Sequence, residues 1–222
     1  MTPRHHLDPS TLVGHAAGSL SPEVSSIAAT HLLACAECRR ALALAEDVGG
    51  VLIGQQLPPQ VPAADRDELR MRMLERLDQA GPPATTTIPP SQPDAPDRLP
   101  QPLQPYFGPS YSALKWRWMG PGMHYIRTLG PSGGTMLLLR IGPGRRMPVH
   151  GHQGSELTQI VRGAYDDALG HFAAGDVADL DADTEHQPVT APGEACICVS
   201  ALDAPLRFPG WFARRLQPLF GI

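Results

Sequence analysis

The sequence predicts an α+β protein: an all-α module, a proline-rich tether and then a β-barrel or sandwich. Three observations carry this. Through the first 80 residues apolar side chains recur every three or four positions. Between Pro82 and Pro105 prolines crowd among Thr, Ser, Gln and Asp with few apolar residues. Beyond that the apolar period shortens to two, in short runs divided by Gly, Pro and Asp. The boundaries read as a helical module at 1–80, a linker at 81–105 and a β domain at 106–222. A chain of 222 residues is long enough for two such domains, each with its own core.

The first helix is expected from Ser10 to Ala17, with Leu12, Val13, Ala16 and Ala17 apolar and Gly18 placed to stop it. A second start follows at once: Ser21 caps, Pro22 suits the first helical position, and Glu23 favours the positive end of the helix dipole. From there Val24, Ile27, Ala28, His31, Cys35, Cys38 and Leu42 fall on one stripe, as one helix or as two jointed near Ala34, with Gly49-Gly50 ending the region.

A thiolate or imidazole turned inward on that stripe is costly without a partner. Zinc takes two sulfurs and a nitrogen readily and asks for a fourth ligand, for which His5, His6 and His15 are the nearby candidates. Small buried cysteines and a core histidine are the plainer alternative; the in-phase histidine tips the balance to metal.

Ala64 to Ala80 reads as an amphipathic helix whose apolar face is Leu69, Met73, Leu74 and Leu77. With so small a core behind it, that face is expected to meet a partner, as a helix laid into a groove. The proline-rich segment then reads as extended and solvated.

Strands are expected at 114–119, 123–129, 135–141, 156–162, 164–171, 176–180, 186–190 and 195–202, with a closing helix from Phe212 to Leu219 and Phe208, Trp211, Phe212 and Phe220 packed on the barrel. His150 and His152 lie two apart and so share a strand face; Glu156 follows a glycine turn, and His186 opens a later strand. Three imidazoles and a carboxylate suit a divalent ion with open positions, whether zinc, iron, manganese or nickel. Cys196, Cys198 and Ser200 share one face of the last long strand, opposite Ile197 and Val199. They are small core residues or oxidant-sensitive thiols beside the barrel metal.

The spacing Gly144-x5-His150-x-His152-x3-Glu156-x6-Gly163 resembles the first cupin motif at every position. A second motif is looser: Gly175 opens it and His186 takes its histidine place, but Asp181, Asp183 and Thr190 stand where proline, glycine and asparagine are usual. The resemblance implies the cupin double-stranded β-helix.

Net charge is −4, and no window concentrates Lys or Arg, so a nucleic-acid surface has little support. The opening segment has no apolar core, and the longest strongly apolar run, Met136 to Leu139, is too short to span a bilayer. Two close cysteine pairs without a secretory signal suit reduced thiols in the cytoplasm.

Taken together, a His-x3-Cys-x2-Cys helical module joined to a three-His, one-Glu cupin resembles the ChrR-type zinc-binding anti-sigma factors over nearly the whole chain. That resemblance implies zinc held by His6, His31, Cys35 and Cys38, and a second metal held by His150, His152, Glu156 and His186. It further implies an extracytoplasmic-function sigma factor as partner, gripped by the helical module, and release triggered through the cupin by singlet oxygen or organic hydroperoxides. The competing class is a metal-dependent cupin dioxygenase or isomerase, against which stands the lack of an obvious general acid or base beyond the ligands.

Overall fold

The computed structural model describes residues 2–57, 62–79, 96–152, 156–181, 183–202 and 206–207, with backbone alone at Ala63, His152, Leu206 and Arg207. Most of the linker, the aromatic tail and the expected closing helix lie outside the described residues.

Local capping chemistry sets the helix starts. In α1 (Pro9–Ala16) the Asp8 carboxylate accepts the Ser10 amide, and Gly18, at φ 64°, follows the end. In α2 (Pro22–Ala34) the Ser21 hydroxyl accepts the Val24 amide at 3.3 Å. The chain then takes the jointed arrangement: Cys35 leaves helical geometry at φ −100°, ψ 105°, and α3 (Ala36–Gly54) begins directly after it. The stop expected at Gly49-Gly50 is not used. Each glycine costs a helix only about 1 kcal/mol, and Val51, Leu52 and Ile53 carry α3 on to Gly54. In α4 (Ala63–Gln79) every described side chain is exposed.

Residues expected at the end of the solvated linker are folded instead. Gln101–Leu103 form a 3-10 turn and α5 (Gln104–Phe107) continues it, with Leu99 and Leu103 buried. The tether has turned inward by Leu99 because two leucines there find apolar cover against α2.

The strands are β1 (Arg117–Gly120), β2 (Met123–Leu129), β3 (Thr135–Ile141), β4 (Gly151–His152), β5 (Glu156–Arg162), β6 (Ala164–Asp167), β7 (Gly170–Ala173), β8 (Val177–Leu180), β9 (Val189–Thr190), β10 (Cys196–Leu202) and β11 (Leu206–Arg207). They pair antiparallel in three sheets, ordered β1-β2-β3-β10-β5-β8, β7-β6-β9 and β11-β4. The single strand expected over 164–171 is a hairpin. Asp167 turns the chain by accepting the Leu169 and Gly170 amides at 2.8 and 3.2 Å, and Gly170 takes φ 140°. His186, expected to open a strand, lies ahead of β9 in an isolated bridge with His150, their backbones exchanging hydrogen bonds of 3.0 and 3.1 Å.

The expectation of two separate cores is corrected by the packing. Alternate residues of the six-stranded sheet face opposite ways. Tyr125, Leu139, Ile160, Cys196 and Cys198 turn into the barrel, whereas Leu138, Leu157, Ile197, Val199 and Ala201 turn outward and pack with Leu7, Ile27, Ala28 and Leu32 in one continuous apolar cluster. The module is therefore docked on the outer face of the barrel. Covered on both faces, β10 is buried along its whole length.

Polar contacts fix the docking. Glu23, 1% exposed, reaches past its own helix end to accept the Ser132 amide at 3.1 Å and the Ser132 hydroxyl. Its carboxylate lies against Gly130, where a β-carbon has no room.

Candidate metal centres

The joint between α2 and α3 builds the first cluster. His31 lies in the last turn of α2, Cys35 is the joint, and Cys38 lies in the first turn of α3, where the helix dipole favours a thiolate. Cys35 Sγ also caps α3, accepting the Cys38 amide at 3.4 Å. His6 arrives from the extended segment before α1. Its Nδ1 stands 3.3 Å from Cys35 Sγ and 3.7 Å from Cys38 Sγ, and His31 Nε2 stands 3.3 Å from Cys38 Sγ.

All four ligand atoms lie within 4.8 Å of one another. A tetrahedral zinc ion with ordinary Zn–N and Zn–S bonds separates its ligand atoms by about 3.3–3.8 Å, so the donor set and its spacing fit that ion. The other rings are engaged elsewhere: His5 stacks on Phe172 with centroids 3.9 Å apart, and His15 Nδ1 meets Ser25 Oγ at 3.0 Å.

The surrounding contacts prepare these groups as ligands. The Gly175 carbonyl, which can only accept, takes the His31 Nδ1–H at 2.9 Å and leaves the Nε2 lone pair facing the sulfurs. Burial, before any other influence, lowers the pKa of His31 and keeps the ring neutral. Glu37 stands 3.3 Å from His6 Nε2, a carboxylate behind a ligating imidazole. Burial pushes the Cys38 thiol up to about 11, so a thiolate at neutral pH calls for a cation beside it. Four protein ligands close such a site, which is the structural rather than the catalytic form of zinc binding.

The second group lines a cavity of ≈ 40 Å³ inside the barrel, enough for an ion with bound water. His150, Glu156 and His186 reach it, whereas the side chain of His152 lies outside the described residues. His150 Nδ1–H donates to the Pro148 carbonyl at 3.0 Å, and His186 Nδ1–H donates to Asp167 at 2.9 Å. Both rings thus aim Nε2 inward, 3.0 Å apart, an arrangement of converging lone pairs that a cation suits. Thr158 and Ser200 hold Glu156 Oε1 at 2.5 and 3.3 Å.

Cys196 and Cys198 line the same cavity, as free thiols. The hydrogen bond that its thiol makes to Cys196, and then burial, raise the Cys198 pKa well above its ordinary value, so it is held as the weakly nucleophilic thiol.

Leu69, Met73, Leu74 and Leu77 of α4 are 50–65% exposed. The structure adds a stripe that sequence reading missed: Leu44, Val48, Val51 and Leu52 of α3, also exposed. Their i, i+4, i+7, i+8 spacing was the available signal, hidden by the assumption that the helix ended at Gly49-Gly50. Asp167 and Asp176 were missed for want of any local motif.

A family model described as the ChrR cupin-like domain matches residues 109–204. Over its whole length the chain is 38% identical to the anti-sigma-E factor ChrR of Cereibacter sphaeroides, with 100% of each chain covered. Among solved structures it is similar to the crystal structure of Rhodobacter sphaeroides SigE in complex with the anti-sigma ChrR. That match has a TM-score of 0.73 and 32% identity, and it covers 91% of this chain and 100% of that one.

Proposed function

The chain belongs to the ChrR family of anti-sigma factors, and from that membership we propose that it sequesters an extracytoplasmic-function sigma factor in the cytoplasm through its helical module. It is a regulator rather than an enzyme. The observation that carries the reading is the exposed apolar stripes on α3 and α4, on a module whose Leu7, Ile27, Ala28 and Leu32 are buried with the outer face of the barrel. Exposed apolar faces of that extent mark a protein partner. The solved relative is a complex with a sigma factor. Among the described residues no helix is long and apolar enough to cross a membrane.

In this reading zinc at His6, His31, Cys35 and Cys38 ties the extended amino-terminal segment to both helices of the joint. A bound ion there supplies cross-linking, not reactivity. The barrel site, at His150, His152, Glu156 and His186, holds zinc, iron, manganese or nickel with open positions and meets the signal, singlet oxygen or an organic hydroperoxide. The two carbonyl and carboxylate partners of His150 and His186 keep those rings aimed while a small molecule enters.

Co-expression with the sigma factor tests the reading. The full chain is expected to co-purify with it in stoichiometric amounts, and the full chain with the exposed Leu44, Val48, Leu74 and Leu77 replaced by aspartate is expected not to. Undiminished binding by that variant would overturn the assignment of the module as the inhibitor.

A further inference from the structure

The two candidate metal centres lie in different parts of the fold, yet one short stretch of chain touches both. On the barrel side, β6 carries Tyr165, which lines the cavity, and Asp167, which accepts the His186 Nδ1–H at 2.9 Å. The same Asp167 forms the β6–β7 turn through the Leu169 and Gly170 amides. On the module side, Phe172 of β7 stacks between Tyr165, at 4.9 Å, and His5, at 3.9 Å, while the His171 carbonyl takes the His5 Nε2–H at 3.1 Å.

Just beyond β7, Asp176 Oδ1 accepts the backbone amides of Arg4 at 2.5 Å and His5 at 3.0 Å. Its other oxygen holds the Ala173 amide at 2.8 Å, and the adjoining Gly175 carbonyl takes His31 Nδ1–H. Two of the four ligands of the first cluster, His6 through its backbone neighbours and His31 through its ring, are thus placed by this hairpin.

We propose that the β6–β7 hairpin, with the Gly175-Asp176 turn after it, is the connector that holds the zinc ligands of the helical module in register with the barrel centre. Asp176 and His5 are positioning residues for His6, and Asp167 ties the connector to His186. A disturbance of His186 therefore loosens the grip on zinc without unfolding the barrel. The inference rests on the zinc reading of the first cluster. It needs no partner protein and no identified signal.

The test uses the full chain loaded with cobalt in place of zinc, because cobalt bound to two thiolates has charge-transfer absorption that an oxygen- and nitrogen-ligated barrel ion lacks. The decay of that absorption in excess EDTA is compared for the parent, His5→Ala, Asp176→Ala, Asp176→Asn and Asp167→Asn. Removing an outer partner of a metal ligand typically weakens the site about 10- to 100-fold. His5→Ala, Asp176→Ala and Asp167→Asn act on the chain that carries the ligands rather than on a ligand atom, so they are expected to accelerate the decay by about 10-fold, the lower end of that range. Asp176→Asn, which keeps one acceptor oxygen but turns its NH2 against a backbone N–H that the carboxylate accepts, is expected to fall between the parent and Asp176→Ala.

His5→Ala touches no hydrogen bond within the barrel, so it decides the matter if Asp176→Ala does not fold. Decay within about twofold of the parent for His5→Ala and Asp176→Ala would refute the connector, because a hold on the ligand-bearing chain is expected to be worth about 10-fold. Acceleration by those two but not by Asp167→Asn would confine the hold to the module side and equally overturn it. Absence of thiolate bands from the parent would instead overturn the zinc reading itself.

Discussion

Replacing Leu74 and Leu77 together by alanine tests whether α4 is part of the sigma-binding surface. Leu74 is 50% and Leu77 58% exposed in the free chain, so about half of each side chain remains to be covered by a partner. Full burial of a leucine side chain contributes about 1.5–3 kcal/mol, which leaves about 1 kcal/mol for each. The double variant is then expected to lose about 2 kcal/mol of binding, a rise of roughly 30-fold in Kd. Alanine is at least as good a helix former as leucine, and exposed substitutions move folding stability by only about 0.5 kcal/mol. Fluorescence anisotropy of a labelled sigma factor titrated with the two proteins gives the Kd ratio, and circular dichroism checks the helix. A ratio below about threefold with helicity intact would remove α4 from the interface, since two half-exposed leucines cannot be buried for so little.

Other consequences are equally direct. Cys38→Ser is expected to lose the metal of the first cluster and to release the sigma factor constitutively, read as unrepressed transcription; retained repression would separate inhibition from zinc. With zinc in excess, so that the first cluster stays filled, His186→Ala is expected to leave sigma binding within about twofold while blocking oxidant-induced release. A fully inducible variant would end the sensing role of the barrel metal. Gly130→Ala drives a methyl group into the Glu23 carboxylate and is expected to weaken the module–barrel docking, seen as faster hydrogen exchange in α2; unchanged exchange would show that the contact carries no weight.

Acid is expected to weaken the same docking. Burial alone would raise the pKa of Glu23 and Asp176, but hydrogen bonds outweigh it, from Ser132 to Glu23 and from the Ala173, His5 and Arg4 amides to Asp176, so both lie below their ordinary values of 4.5 and 3.8. The folded chain then binds fewer protons than the unfolded one. The contribution is whole above those ordinary values and is lost as pH falls through the lowered ones. A docking contact that strengthened in acid would contradict this.

Much of the architecture was legible because its causes are local. Ser21, Pro22 and Glu23 announce a helix start within three residues, and the spacing of His31, Cys35 and Cys38 brings three ligands together whether or not the helix breaks. What was not legible depends on distant contacts. Spacing cannot choose between His5 and His6, because the choice is made by Asp176, a residue 171 positions from His5 along the chain. Glu23 reads as a partner for the helix dipole, yet its carboxylate is spent on Ser132 across the docking surface. One sign of that surface was present: β10 is apolar on both faces, and Ile197, Val199 and Ala201 need cover just as Cys196 and Cys198 do. The same reasoning applies to Leu99 and Leu103, two leucines that a solvated tether would have left exposed.

The most direct measurement is transcription from a promoter dependent on the sigma factor, by holoenzyme reconstituted with it and titrated with the full chain. The titration is run once with the chain as purified and once after zinc has been stripped by a chelator. The zinc-loaded chain is expected to silence the promoter at about one molecule per sigma factor, and the stripped chain, having lost the ion that holds the module, is expected to fail. Transcription that continues under an excess of the zinc-loaded chain would contradict the anti-sigma assignment.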